Sequence, residues 1–288
     1  MAKLRLMSNN IWCAESNCNT WAEKGEDCSA EHRSKGFLKV YKDTLPDVIG
    51  LQECTARLAD FLMQRFKDDG TIPFALLWGR DTPIIYRTDK LELIDSDYLI
   101  YPLEVPGFEG EFNNAKTKSY CIAVFKAKED GKVFVFASTH LWWKTSDRSK
   151  CWRGDYDFQE HSDEAREYQI NLLMDKVEEY AAKYNCPAFI VGDFNADYNS
   201  LAVQSAFRRG YVHGHDVATD YRDEKNGHHF CYAEGYDHYE DPKPFKESID
   251  QFIIKSAENV TVKRFDRFYE DYYMCLSDHF PMWCDVEL

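Results

Sequence analysis

The stretch that decides the fold is Pro187-Ala188-Phe189-Ile190-Val191-Gly192-Asp193-Phe194-Asn195. Its apolar run is short and continuous, which is typical of a buried strand and predicts one over 187–192. A helical pattern precedes it over 163–184, with Ser162 as the expected N-cap. The strand ends at Asp193 and Asn195, and loops at strand ends are where rigid scaffolds carry catalytic groups. The stretch therefore predicts an α/β protein with a site at this strand end.

Similar patterns recur on both sides of this stretch. Further helices are predicted over 29–44, 55–67 and 200–208. Further strands are predicted over 4–12, 47–53, 74–78, 83–87, 91–100, 120–128, 132–140, 249–254, 260–265 and 281–286. Glu129-Asp130-Gly131 is a hairpin turn signal, so antiparallel pairs are expected beside the α/β units. No repeat or flexible linker divides the chain, which predicts one domain over 1–288.

Composition excludes several classes of protein. The chain has 288 residues, of which 44% are hydrophobic and 15% aromatic, so it is too rich in large apolar side chains for a disordered protein. Its formal net charge of −15 does not favour binding to the phosphates of nucleic acid or to an anionic membrane. An anionic substrate must therefore be attracted by local charges.

The N-terminal residues and the cysteines bear on location. No apolar stretch has the length of a signal peptide, and none approaches the roughly 18 residues of a membrane span. The ten cysteines include no Cys-x-x-Cys pair, and we interpret them as reduced thiols, with a Cys18–Cys28 disulfide as the alternative. We expect a cytoplasmic monomer without a membrane anchor. Two long segments, 13–28 and 227–246, contain no predicted element, which is typical of functional or mobile loops.

Polar residues lie at or next to the ends of six of the predicted strands. Each has an ordinary explanation when taken alone: Glu53 as a solvated strand end, Asn10 as a turn former, His140 as a satisfied core histidine. As a set they form six short motifs in chain order. These are Asn10-Ile11-Trp12, Leu51-Gln52-Glu53, Thr139-His140-Leu141, Gly192-Asp193-Phe194-Asn195-Ala196, Ser248-Ile249-Asp250 and Ser277-Asp278-His279-Phe280-Pro281.

This ordered set strongly resembles the motifs of the endonuclease/exonuclease/phosphatase superfamily, which includes pancreatic deoxyribonuclease, sphingomyelinases and inositol polyphosphate 5-phosphatases. The resemblance covers residues 10–281, nearly the whole chain. It implies an α/β (α+β) fold, a four-layer α/β sandwich in which two mixed β-sheets pack face to face with helices on the outside. It also implies a divalent-metal-dependent hydrolase of phosphate esters that uses in-line attack of an activated water.

The resemblance implies a metal site of oxygen ligands. Glu53 would be the principal ligand of Mg²⁺, and Asn10 and Asp278 would contribute directly or through water. Mn²⁺ is the alternative ion. No zinc-type cysteine spacing competes for this role.

The resemblance also implies the catalytic roles. Asp193 would orient or deprotonate the attacking water, and Asn195 would donate a hydrogen bond to a phosphoryl oxygen. His279, oriented by Asp250, would contact the phosphate or transfer a proton. His140 would be a second phosphate contact or the acid for the leaving group. The choice between His279 and Asp193 as general base is open at this level.

A short basic island follows the His140 motif. It holds four cations, one anion and three tryptophans, namely Lys144, Arg148, Lys150, Arg153, Asp147, Trp142, Trp143 and Trp152. We interpret the island as a substrate-binding loop in which cations attract phosphate and tryptophans stack on a base or sugar. An ordinary solvated loop is an almost equal alternative.

The isolation of this island favours a small phosphorylated molecule or a compact phosphodiester as substrate. A duplex nuclease would be expected to carry an extended basic track. A nuclease acting on DNA or RNA, with nucleic acid as substrate, is the alternative, and a catalytically silent binding protein on the same fold is a further one.

Overall fold

Two six-stranded mixed sheets form the centre of the computed structural model, which describes residues 1–13, 27–151, 153–221, 248–268 and 270–288. The first sheet runs in the order β11 (Thr261–Arg267), β12 (Met282–Glu287), β1 (Lys3–Asn10), β2 (Val48–Gln52), β4 (Ile84–Arg87), β3 (Phe74–Leu77). The second runs in the order β5 (Leu91–Ile100), β6 (Ser119–Ala127), β7 (Val133–His140), β8 (Ala188–Asp193), β10 (Asp250–Lys255), β9 (Val212–His213). The pairs β1–β2 and β7–β8 are parallel, and the other pairs are antiparallel.

Helices connect several of these strands. They are α1 (Ala30–Thr44), α2 (Ala56–Asp69), α3 (Ser162–Tyr184), α4 (Leu201–Arg208) and the single turn α5 (Gly214–Val217). The expected cap of α1 is confirmed, since the Ser29 hydroxyl accepts a hydrogen bond from the backbone N–H of His32 at 3.2 Å. The expected cap of α3 is wrong, because Ser162 is already helical and donates its hydroxyl proton to the carbonyl of Gln159.

Three apolar clusters show how the elements stack. Alternate residues of facing strands fill the space between the sheets, including Leu6, Val48, Phe134, Phe136, Phe189 and Phe252. The opposite face of the first sheet packs against α1 and α2, and the opposite face of the second packs against α3 and α4. This arrangement follows from the period of two in strands and of 3.6 in helices. The expected four-layer sandwich with helices outside is confirmed.

The predicted elements agree with the structure at their positions, with a few differences. The strand expected over 4–12 ends at Asn10, which places Ile11 and Trp12 in the following loop. The hairpin turn is confirmed, because β6 and β7 pair on either side of Gly131. The short elements β9 and α5 lack a clear sequence pattern and were not predicted.

The cysteines partly contradict the expectation of reduced thiols. Cys28 is disulfide-bonded, and its partner lies outside the described residues. Cys121, Cys186 and Cys284, by contrast, are free thiols. In the part of the chain that the structure describes, no helix has the length and apolar character needed to cross a membrane.

Candidate active site

The register of the two sheets brings the six motifs to one edge of the molecule. In the second sheet His140 lies opposite Asp193, and Asp193 lies opposite Asp250. In the first sheet Asn10 pairs with Gln52, directly before Glu53. The antiparallel strands β10 and β12 begin where β1, β2, β7 and β8 end. Residues that are distant in sequence therefore meet because their strands start or stop at the same level.

Gly192 allows the close approach of two strands at this edge. Its φ of +148° is one that side chains other than glycine rarely adopt, and an added Cβ would lie 1.9 Å from the carbonyl oxygen of Thr139. The site therefore depends on glycine immediately before Asp193.

Asp193 lies at the centre of the cluster. Its Oδ1 accepts a hydrogen bond from the backbone N–H of Asn195 at 2.8 Å, and its Oδ2 accepts one from Asn10 Nδ2 at 3.0 Å. The Nε2 atoms of His140 and His279 lie 3.5 Å and 3.8 Å from the same Oδ2. Burial raises the pKa of Asp193, although the electrostatic attraction of the two histidines opposes this effect.

His279 and Asp250 form a buried pair. His279 Nδ1 lies 2.8 Å from Asp250 Oδ2, and each residue is less than 5% exposed. Burial acts to lower the pKa of His279, but the carboxylates of Asp250 and Asp193 raise it well above its usual value. The Ser277 hydroxyl donates to the carbonyl of Asn10 at 2.6 Å, which fixes this motif to the end of β1.

His140 has two partners that the sequence analysis missed. Its Nδ1 lies 2.8 Å from Asp81 Oδ2, and its Nε2 lies 2.5 Å from the Nζ of Lys118. Lys118 is only 3% exposed, and burial lowers its pKa against the opposing effect of nearby carboxylates. Counting back from the hairpin turn would have found Lys118, because it directly precedes Ser119, the register partner of His140.

Glu53 faces the same cluster from the first sheet. Its Oε1 accepts a hydrogen bond from Asn10 Nδ2 at 3.3 Å, and its Oε2 accepts hydrogen bonds from the backbone N–H and the thiol of Cys13 at 3.2 and 3.0 Å. Burial acts to raise the pKa of Glu53, but electrostatic attraction to His140 and Lys118 outweighs it and lowers the pKa to about 2. Glu53 is therefore held as a carboxylate.

Asp278 completes the set of acidic groups. Its Oδ1 is buried with no hydrogen-bond partner among the described residues. Burial, together with the negative charges of Glu53 and Asp193, raises the pKa of Asp278 to about 7. An unsatisfied buried carboxylate oxygen beside two other carboxylates is what a cation site is expected to contain.

Two groups of side chains have the spacing of metal ligands. One consists of Glu53, His140 and Asp193, and the other of Asp193, Asp250 and His279, with ligand atoms within 4.8 Å of one another in each group. The predicted ligand Glu53 is in the first group. Asn10 bonds to both Glu53 and Asp193, so it lies beside that group.

The predicted substrate-binding loop divides into two parts. Trp142, Trp143 and Lys144 line a cavity. The other three cations lie near carboxylates: Arg148 is 2.8 Å from Asp155, Lys150 is 3.9 Å from Asp197, and Arg153 is 2.8 Å from Asp157. The positive charge of this part is largely balanced locally. Trp152 and the segment 227–246 lie outside the described residues.

The cavity has a volume of about 510 Å³, and we call it the Trp143 cavity. It is lined by Glu109, Gly110, Glu111, Asn113, Asn114, Trp142, Trp143, Lys144, Tyr156, Gln159 and Glu160. Two of its walls are connected to segments that carry residues of the cluster. Trp142 is two residues beyond His140, and Asn113 Nδ2 donates to the carbonyl of Lys118 at 2.9 Å.

Comparison of the chain with known proteins identifies its family. The model of the endonuclease/exonuclease/phosphatase family matches residues 10–279. The chain belongs to this family. No curated protein matches the chain significantly by sequence. The family match spans all the polar strand ends that the two sheets bring together.

Solved structures share the fold over the whole chain. A family member from Bacteroides vulgatus is 22% identical, with a TM-score of 0.70 and complete coverage of both chains. A mannosyl-6-phosphatase from Bacteroides thetaiotaomicron is 20% identical, with a TM-score of 0.70 and coverage of 99% of this chain and 100% of that one. D. rerio TDP2 complexed with single-strand DNA product is 16% identical, with a TM-score of 0.68 and complete coverage of both chains. At these identities the likeness shows the fold.

Proposed function

We propose that this family member is a divalent-metal-dependent phosphoesterase that hydrolyses a small or compact phosphorylated substrate. The observation that carries the proposal is the convergence of Glu53, Asp193, His140 and His279 at the facing strand ends of both sheets. Carboxylates, amides, imidazoles and an ammonium group meet there. These groups suit charge neutralisation on a phosphoryl group and activation of water.

The residues present fit a hard divalent cation. The oxygen donors Glu53, Asn10 and Asp278 suit Mg²⁺ or Mn²⁺, and Asp278 Oδ1 is buried with no partner among the described residues. When bound, the cation would supply positive charge to the phosphoryl oxygens. We assign Glu53 as the principal ligand, with Asn10 and Asp278 contributing.

We assign Asp193 the task of orienting and deprotonating the attacking water. His279 is the weaker candidate, because its ion pair with Asp250 favours the protonated imidazolium form, which has no lone pair to accept a proton. His279 then contacts the phosphate as a positive charge. Asp250 acts as a positioning residue that fixes the imidazole ring.

We assign Lys118, His140 and Asn195 to the phosphoryl group and the leaving oxygen. Lys118 Nζ lies 2.5 Å from His140 Nε2, so the ammonium donates a hydrogen bond to this ring nitrogen and keeps two further protons and its positive charge for a phosphoryl oxygen. Asp81 holds the other ring nitrogen of His140 at 2.8 Å. The side-chain amide of Asn195 donates to the carbonyl of Leu141 at 3.1 Å, which positions it beside the His140 loop.

The distribution of charge favours a small substrate over a nucleic acid. Arg148, Lys150 and Arg153 are near carboxylates, so they do not form a free basic track for a polyanion. One of the similar structures is a mannosyl-6-phosphatase, which acts on a small phosphorylated molecule by its name.

The monomeric state and the cytoplasmic location stay predictions from the sequence. The disulfide at Cys28 does not favour a reducing compartment.

The proposal is tested by hydrolysis of p-nitrophenyl phosphate, bis(p-nitrophenyl) phosphate and supercoiled plasmid, each with Mg²⁺, Mn²⁺ or chelator. We expect metal-dependent cleavage of a nitrophenyl ester, and a loss of several orders of magnitude in kcat in Glu53→Gln and in Asp193→Asn. Dominant plasmid cleavage would instead favour the nuclease. Metal binding without turnover of any ester would favour a binding protein on this fold.

A further inference from the structure

The Trp143 cavity has a lining unlike that of a phosphate site. Three of its side chains are carboxylates, Glu109, Glu111 and Glu160, whereas Lys144 is the one cation among the lining residues. A phosphate or a chain of phosphates entering this cavity would meet repulsion. A neutral molecule rich in hydroxyl groups would meet acceptors instead.

The remaining lining residues suit the same kind of molecule. The side-chain amides of Asn114 and Gln159 supply polar groups to the cavity, whereas the amide of Asn113 is already bonded to the backbone of Tyr101 and Lys118. Two aromatic rings, Trp143 and Tyr156, lie with their centroids 5.5 Å apart and are inclined at 41°. An inclined aromatic pair presents an apolar surface, while the amides and carboxylates take up hydroxyl groups. Sugars have both kinds of surface.

The exposure of the Tyr156 ring suits ligand binding. Tyr156 is 61% exposed, the highest value for any aromatic side chain that the structure describes. Lys144 and Arg153 lie within 5.6 Å of both ring centroids, which restricts the movement of the rings. An exposed ring that is held in place loses little entropy when a ligand packs on it.

The walls of the cavity are joined before any ligand enters. Gln169 on α3 accepts a hydrogen bond from the backbone N–H of Trp142 at 2.8 Å and donates one to the carbonyl of Phe112 at 2.9 Å. Gln159 donates to the carbonyl of Glu111 at 3.0 Å. Buried Arg166 donates to the carbonyls of Trp142 and Lys144. The volume of about 510 Å³ is within the range of small-molecule sites, about 300–1,000 Å³.

The position of the cavity relates it to the reaction. Trp142 is two residues from His140, so the two Cα atoms are at most about 7 Å apart. Asn113 both donates to the carbonyl of Lys118 and accepts from its backbone N–H at 3.0 Å. The loops that line the cavity are therefore fixed to the segments that carry His140 and Lys118.

We propose that the Trp143 cavity binds the sugar of a phosphorylated carbohydrate, which makes the preferred substrate a sugar phosphate monoester. This inference rests on the proposed phosphoesterase function. The phosphoryl group lies against Lys118 and His140, and the sugar extends into the cavity. Water attacks phosphorus, the bond between phosphorus and the sugar oxygen breaks, and that oxygen takes up a proton and leaves as the sugar hydroxyl, with inorganic phosphate as the second product.

The first test compares a panel of hexose 1-phosphates and 6-phosphates with p-nitrophenyl phosphate and a short single-stranded oligonucleotide. At least one sugar phosphate is expected to have a kcat/KM about tenfold or more above that of p-nitrophenyl phosphate. Tyr156→Ala should lower the ratio of the kcat/KM for that sugar phosphate to the kcat/KM for p-nitrophenyl phosphate about tenfold. The matched control is Tyr98→Ala, which removes a 54% exposed tyrosine from β5.

The possible outcomes separate this inference from the proposed function. Hydrolysis that needs Glu53 but shows no preference for any sugar phosphate overturns the inference and keeps the phosphoesterase. A preference for the oligonucleotide that is lost in Tyr156→Ala also overturns it, because the rings would then stack on bases. If no ester is cleaved, the unphosphorylated sugars are titrated into Glu53→Gln and tryptophan fluorescence is measured. A saturable change that is absent in Glu53→Gln/Tyr156→Ala supports the sugar site. No change in fluorescence overturns it.

Discussion

Replacement of Asp278 by asparagine is expected to stabilise the protein at pH 8 in the absence of a divalent cation. Burial and the negative charges of Glu53 and Asp193 raise the pKa of Asp278 to about 7. A carboxyl group whose pKa is higher in the folded than in the unfolded chain favours folding while it is protonated. Its contribution is complete below about pH 4 and is lost as the pH rises through about 7. Asparagine stays neutral at every pH, so the variant does not lose this contribution to stability.

The size of this effect follows from the pKa. A rise from about 4 to about 7 corresponds to about 4 kcal/mol as an upper limit, at about 1.4 kcal/mol per pKa unit. Asp278 is partly accessible to water and titrates together with its neighbours, so we expect about 1–2 kcal/mol in the free energy of unfolding. For a chain of this size the melting temperature of Asp278→Asn should exceed that of the wild type by about 2–6 °C.

Differential scanning calorimetry with chelator present, at pH 8 and at pH 4.5, measures the effect. The difference should be largest at pH 8 and several-fold smaller at pH 4.5, where the carboxyl group is protonated in the fold but already largely ionised in the unfolded chain. Asp60→Asn, on the exposed side of α2, is the control and should change neither value by much. A lower melting temperature of Asp278→Asn at pH 8, or an equal gain at both pH values, would refute the electrostatic reasoning.

Three other predictions concern the metal, the histidine pair and the backbone. Mg²⁺ should raise the melting temperature of the wild type at pH 8 but not that of Glu53→Gln, as measured by thermal shift; an equal response would remove Glu53 from the metal site. Asp250→Asn should move the NMR titration of His279 to lower pH, because the carboxylate that raises its pKa is lost, and an unchanged titration would contradict this cause. Gly192→Ala should lower the free energy of unfolding by more than about 3 kcal/mol, as measured by denaturant unfolding. The control Gly107→Ala, where the added Cβ meets nothing within 4 Å, should lower it by about 1 kcal/mol. Similar losses in the two variants would show that the close strand contact is unimportant.

Local patterns were sufficient to predict most of the fold. Strands and helices here have regular apolar spacing, as in the buried run 188–192 and the amphipathic helix α1. Glu53, Asp193 and His279 lie at or near the ends of such runs, and the resemblance of their motifs to those of the superfamily singled them out. The α3 cap failed because Ser162, a good capping residue by type, is already the first residue of the helix.

The parts of the site that the sequence did not reveal depend on contacts between distant segments. Asp81 reaches His140 only because its loop leads into β4, which pairs with β2. The second wall of the Trp143 cavity comes from residues 109–114, which have no distinctive pattern. Local patterns contain no information on these pairings.

The site draws its groups from both sheets, and this has a consequence for folding. The first sheet is complete only when β12 pairs with β1, with Lys3 opposite Glu287. Contacts between such distant residues form slowly, because a long loop must close before they are made. Helical circular dichroism should therefore recover before turnover when the denatured chain refolds. Chains interrupted during synthesis would contain several helices and strands but no competent catalyst.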